Sequence, residues 1–268
     1  MNLEFDPEVF SYLVVLGFPA VLFVVNLRNV VRSRGDFYLG DAAAQPMPLA
    51  PILCVTAWFA LMIGSKLLAT RPRPQEISLL AIQVSFAMHM LLAVLLPALL
   101  LDGGKRTLPS FGIYAHRFGR QAAVGAAGFL AAVCPTAILL LLSRSWRTEE
   151  TQHPYLQALR GDSGGELVVW IILSAVIAAP LAEELLFRVT LQGWLTERLP
   201  APAAIGLTVA IFTLVHGWRD ALPLVPLSLI LGYIFHQTRS YWSCVVTHAL
   251  FNAANLTLAL LSNEAAAS

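Results

Sequence analysis

The residues of this 268-residue chain best suited to chemistry are two adjacent carboxylates, two histidines and an asparagine, each set in an otherwise apolar stretch. The first group lies in Ala179-Pro180-Leu181-Ala182-Glu183-Glu184-Leu185-Leu186-Phe187-Arg188. On a helix Glu184 and Arg188 stand at i and i+4 and can pair on one face. Glu183 then points about 100° away from Glu184, so one carboxylate can be held by the arginine while the other meets a different partner. Downstream, His216 ends the run Ile211-Phe212-Thr213-Leu214-Val215, and His248 and Asn252 share a face at i and i+4. Ionisable groups within a membrane helix cost about 2.5–3.5 kcal/mol each on insertion scales and usually mark a functional site. The economical arrangement is one shared polar chamber. Two imidazoles and a carboxylate match the ligand set of catalytic zinc sites, and a second carboxylate would then serve as general base toward a water.

The competing reading is a polar lock that holds helices together through hydrogen bonds. It suits a single histidine, but a lock has no need of two adjacent acids and two bases. Arg188 reads as support, neutralising and orienting Glu184. His89 has no acidic or basic companion in its own helix and reads as a bundle histidine. His236, Arg239, Arg219 and Asp220 read as membrane-boundary residues. Pro180 suggests a bend just before Glu183.

These groups need helices in a bilayer to position them. Hydrophobic residues make up 57% of the chain and charged ones 12%, against about 25% charged in an ordinary soluble domain. Apolar runs at Phe10–Leu27, Leu49–Ala69, Ile77–Leu101, Ala122–Leu142, Leu167–Leu186, Ala203–Val215, Leu222–Phe235 and Trp242–Leu261 predict an all-α polytopic membrane bundle of about eight transmembrane helices around an intramembrane polar cavity. Residues 1–268 read as a single integral membrane domain, with helices lacking motifs in 1–165 and the core carrying the candidate site in 166–262. The Ala- and Gly-rich stretch Ala122–Ala132 predicts close helix packing. Cys54, Cys134 and Cys244 all fall in apolar runs, which argues against disulfides or a cysteine metal cluster. With 17 Lys and Arg against 16 Asp and Glu there is no basic stripe, so nucleic acid is not expected as a partner. Met1–Pro7 is acidic and lacks the basic start of a secretory signal, so the first apolar run reads as a retained helix. The Lys and Arg bias between loops weakly favours both termini outside. Compact size and the lack of long tails favour a bacterial cytoplasmic membrane. No internal repeat is evident, which weakens a transporter reading.

Glu183-Glu184-x-x-x-Arg188, Phe212-x-x-x-His216 and His248-x-x-x-Asn252, in this order on separate apolar helices, resemble the motifs of the CPBP family. These are the CAAX proteases and bacteriocin-processing enzymes, also called the Rce1-type or Abi family. The match spans roughly Pro180 to Asn255. The resemblance implies a helical membrane endopeptidase that hydrolyses a peptide bond of a membrane-associated substrate, such as a prenylated CAAX-type peptide or a leader peptide. It implies that Glu183 and His216 activate the attacking water, that Glu184 and His248 position water or substrate, and that Asn252 donates to the tetrahedral oxyanion. Phe212 and Arg188 would support the site. Two alternatives for the cofactor stand at this point: zinc on Glu184, His216 and His248, or a glutamate and histidine mechanism without metal. Two other function classes also stand. One is a non-catalytic membrane partner or immunity-type protein on the same scaffold, and the other is a proton-coupled transporter using intramembrane Glu and His.

Overall fold

The computed structural model describes residues 17–27, 45–68, 78–143, 165–217 and 221–267, together with residues 29, 155, 158 and 159. Eight helices follow one another: α1 Gly17–Leu27, α2 Leu49–Leu68, α3 Leu79–Leu100, α4 Phe118–Leu142, α5 Gly165–Thr196, α6 Ala201–Val215, α7 Ala221–Thr238 and α8 Tyr241–Ala267. There is no strand among the described residues. Four of the helices, α3, α4, α5 and α8, are long and apolar enough to cross a membrane. The other four are apolar but shorter, so the expected eight helices are found while the full set of eight spans is not shown. The acidic start, most of the loops on which the orientation rests, and Arg219 and Asp220 lie outside the described residues.

The apolar pattern explains which way the helices face. α3 is apolar on every side: Ile82, Leu92, Leu96 and Leu100 are buried, while Leu80, Leu91 and Val94 are exposed. A helix apolar all round needs an apolar solvent for its outer face. α2 and α4 show the same character, with Leu61 70% and Leu142 68% exposed. The interior is built by α8 packed along α4 and beside α7, with α4 also lying against α7. Glycine sets these distances. A Cβ at Gly125 would lie 2.7 Å from Val246 Cβ and 2.8 Å from the Ser243 carbonyl oxygen, and one at Gly128 would lie 2.5 Å from Ile234 Cδ1. The expected close packing of the Ala- and Gly-rich stretch is therefore what α4 does, with the Thr247 hydroxyl donating to the Gly125 carbonyl at 2.9 Å across the gap.

A buried polar cluster fixes the height of α8 against α4. Gln121, fully buried, donates from Nε2 to the carbonyls of Tyr114 and His116 and accepts at Oε1 from the Ser240 hydroxyl at 2.6 Å. The Ser243 hydroxyl donates to the Gln121 carbonyl at 3.0 Å. Every polar atom of this amide is satisfied, as a buried polar group requires.

α5 runs ten residues beyond the apolar stretch expected for it, to Thr196, and it is not a uniform helix. Its turns widen to π-helix over Leu173–Ala178 and again over Leu185–Gln192, with an α-helical turn at Ala179–Glu184 between them. Pro180 opens that turn. A proline lacks the N–H for the ladder and its ring crowds the carbonyl four residues back, and the widened turn before it accommodates both. The expected bend at Pro180 is thus taken up by a change of helix type. Glu183 and Glu184 stand in the only α-helical turn between two π-helical segments, and such segments are frequent at functional sites.

Candidate active site

Arg188 and Glu184 are both completely buried. They pair as the spacing predicts, Arg188 Nε donating to Glu184 Oε2 at 3.1 Å. Arg188 Nη2 donates to the Ser228 hydroxyl on α7 at 3.2 Å, and the guanidinium lies over the Phe212 ring, 5.1 Å from its centroid. The other carboxylate oxygen of Glu184 accepts from His248 Nδ1 at 2.8 Å. Glu184 therefore has one oxygen on the arginine and the other on the imidazole, and it acts on the chamber through His248.

Glu183, turned to the next face of α5, lines a cavity of about 530 Å³ together with His89, His216, His248 and Asn252. Its Oε2 is buried and carries no hydrogen bond within the described protein. Two imidazole nitrogens face that oxygen: His216 Nε2 at 3.6 Å and His248 Nε2 at 4.0 Å. The tautomers follow from the other ring nitrogens. His216 Nδ1 lies 2.7 Å from the Phe212 carbonyl oxygen, which can only accept, so Nδ1 carries the hydrogen. His248 Nδ1 donates to Glu184 in the same way. In their neutral forms both rings present the Nε2 lone pair to Glu183.

Phe212 holds this geometry. It is buried, stacks at a tilt on His216 with ring centroids 4.6 Å apart, and meets His248 and Phe187 edge-on at 5.9 and 4.9 Å. Asn252 faces the cavity and donates one Nδ2 hydrogen to the Ala175 carbonyl at 2.8 Å, leaving its second hydrogen for another acceptor. Ala175 belongs to the first π-helical segment, where the ladder shifts register and a carbonyl can serve a side chain. The Tyr241 hydroxyl donates to the Leu181 carbonyl at 2.9 Å, tying the start of α8 to the turn before the two acids.

All seven residues singled out from the sequence, Glu183, Glu184, Arg188, Phe212, His216, His248 and Asn252, thus meet in one place. One of the sequence readings changes. His89 is no bystander of the bundle: its Nε2 lies 4.0 Å from Glu183 Oε1. Its own helix gave no signal because the partner carboxylate is on α5. Of the residues named for zinc, His216 and His248 turn Nε2 toward the cavity. Glu184, the third of them, has both oxygens occupied, by Arg188 and by His248. Aromatic walls of the cavity, Trp58 and Phe59 on α2, also escaped the sequence reading, since apolar residues in an apolar run carry no mark.

No curated protein and no solved structure matches the chain significantly. The family model described as "Type II CAAX prenyl endopeptidase Rce1-like" does match, over residues 165–254, which take in the whole of α5, α6 and α7 and the site-bearing part of α8. With the motifs brought together in a polar chamber among apolar helices, this match supports the likeness of the C-terminal core to the Rce1-type CPBP family.

Proposed function

We propose that this protein is an intramembrane endopeptidase that hydrolyses a peptide bond of a membrane-associated substrate, with the water activated by Glu183 and His216. One observation carries the reading: the Glu183 carboxylate sits in a chamber enclosed by apolar helices, with Oε2 facing the Nε2 lone pairs of His216 and His248. Acceptors that face one another need a hydrogen or a cation between them. A water at hydrogen-bonding distance, about 2.8 Å, from both groups spans separations of this size and donates one hydrogen to each.

The reaction follows from these placements. Glu183 accepts a proton from the water as its oxygen attacks the scissile carbonyl, and His216 accepts the water's second hydrogen bond and orients it. The spare Nδ2 hydrogen of Asn252 is donated to the oxyanion of the tetrahedral intermediate. The proton held by Glu183 passes to the amide nitrogen, the C–N bond breaks, and the new carboxylic acid gives its remaining proton to the amine, so that a carboxylate and an ammonium leave. Glu184 and Arg188 keep His248 in its tautomer and orientation, a buried carboxylate behind a working imidazole. The substrate class is a peptide tethered in the lipid, either a prenylated CAAX-type C-terminus or a leader peptide. The membrane is proposed to be a bacterial cytoplasmic membrane, and the partners are lipid and the anchored peptide.

The test is a comparison of membrane-fraction peptides from cells producing the wild-type chain or Glu183→Gln. Precursors should accumulate uncleaved in the variant while the protein itself is made and folded normally. Identical peptide populations would overturn the protease reading. Function in a complementation assay that ignored both Glu183→Gln and His216→Ala would point instead to a non-catalytic partner on this scaffold.

A further inference from the structure

Helix α3 lies outside the segment that matches the family model, yet it delivers a third imidazole to Glu183. His89 and His216 are held alike. Each sends Nδ1 to the carbonyl four residues back on its own helix, Ser85 for His89 and Phe212 for His216, both at 2.7 Å. A carbonyl oxygen only accepts, so Nδ1 of His89 carries the hydrogen and a neutral ring turns its Nε2 lone pair outward. That nitrogen faces Glu183 Oε1 at 4.0 Å, while His216 and His248 face Oε2. The two oxygens of one carboxylate thus have separate imidazole neighbours.

The surroundings fix the ring. Trp58 of α2 meets it edge-on with centroids 6.2 Å apart, and the Tyr155 hydroxyl donates at 3.2 Å to the Ser85 hydroxyl beside Nδ1. A histidine that only locks helices would spend both nitrogens on protein hydrogen bonds. His89 spends one and aims the other into the cavity, at the carboxylate that the proposed reaction uses. At 4.0 Å the two atoms are too far apart for a direct hydrogen bond, and a bridging water that donates to both spans the gap.

We propose that His89 is a third imidazole of the active site, a positioning residue that holds Glu183 Oε1 through a bridging water and so turns Oε2 toward His216 and His248. The proposal rests on the endopeptidase reading and adds a group from the N-terminal half of the chain. Without His89 the Glu183 carboxyl is free to rotate about its last torsion, and the attacking water loses its alignment while the substrate still binds.

The experiment uses the full-length protein in detergent and a peptide found to accumulate in Glu183→Gln cells, with wild type, Glu183→Gln, His89→Ala and His89→Gln compared. His89→Ala should lower kcat by about 10–100-fold with little change in KM, as expected for a misplaced reacting group. His89→Gln, whose amide can donate to Oε1, should recover a clear part of the loss, and thermal unfolding should be the same for all four proteins. A His89→Ala protein with wild-type kcat overturns the assignment. So does a loss that tracks the unfolded fraction and is equal for Ala and Gln, because that is a structural histidine. If wild type and Glu183→Gln prove indistinguishable in the cells, it is the endopeptidase reading that has failed, a result separate from either of these.

Discussion

Glu183 and Glu184 are neighbours in sequence, and the fold gives them opposite tasks. Glu184 lies with Arg188 at zero exposure, its charge matched and both oxygens bonded. Glu183 is partly open to the cavity and leaves Oε2 without a hydrogen bond within the described protein. Removing one member of a buried pair strands the other, at a cost of about 3–5 kcal/mol, whereas replacing both is often near neutral. Arg188→Met should therefore lower thermal stability in detergent sharply, and Glu184→Gln combined with Arg188→Met should recover part of that loss. The recovered protein should still be inactive, because His248 has lost its carboxylate. Equal stability of Arg188→Met and wild type would show that the pair is not buried as described.

Two features of whole helices place those residues. The π-helical segments of α5 bracket the acids and let the helix pass through Pro180. The glycines of α4 let α8 approach until Val246 and Ser243 touch the α4 backbone, and α8 carries His248 and Asn252. A side chain at Gly125 must push the two helices apart, and overpacking of this kind costs about 1–3 kcal/mol. Gly125→Leu should thus reduce stability and cleavage together, by shifting His248 away from Glu184. Gly119→Leu on the same helix, where nothing lies within 4 Å of a new Cβ, serves as the control and should leave both unchanged. Similar behaviour of the two variants in unfolding and cleavage assays would sink the close-approach argument.

At the scale of the whole molecule, an apolar exterior surrounds a polar chamber, the reverse of a soluble domain. Leu61, Leu80 and Leu142 are each more than two-thirds exposed, and burying such side chains in lipid rather than water is worth about 1.5–3 kcal/mol apiece. The protein should stay in the membrane pellet through high salt and alkaline carbonate and be released only by detergent; extraction by carbonate would contradict that exterior. Much of this was legible in the sequence. Composition and run length fix the solvent and the helices, because a backbone in lipid must satisfy its own hydrogen bonds. The costly charges mark the site, since Glu183, Glu184, His216 and His248 have no reason to be in apolar runs unless they find one another. What the sequence leaves open is pairing across helices. The spacing pairs Glu184 with Arg188, but that its second oxygen meets His248 is decided only when α5 is set against α7 and α8. For that reason the sequence does not show that Glu184, nominated as a zinc ligand, has both oxygens bonded to Arg188 and His248. His89 is invisible for the same reason: the histidine is on α3 and its carboxylate on α5, and a helix records its own periodicity but not the partner that tertiary packing brings to it.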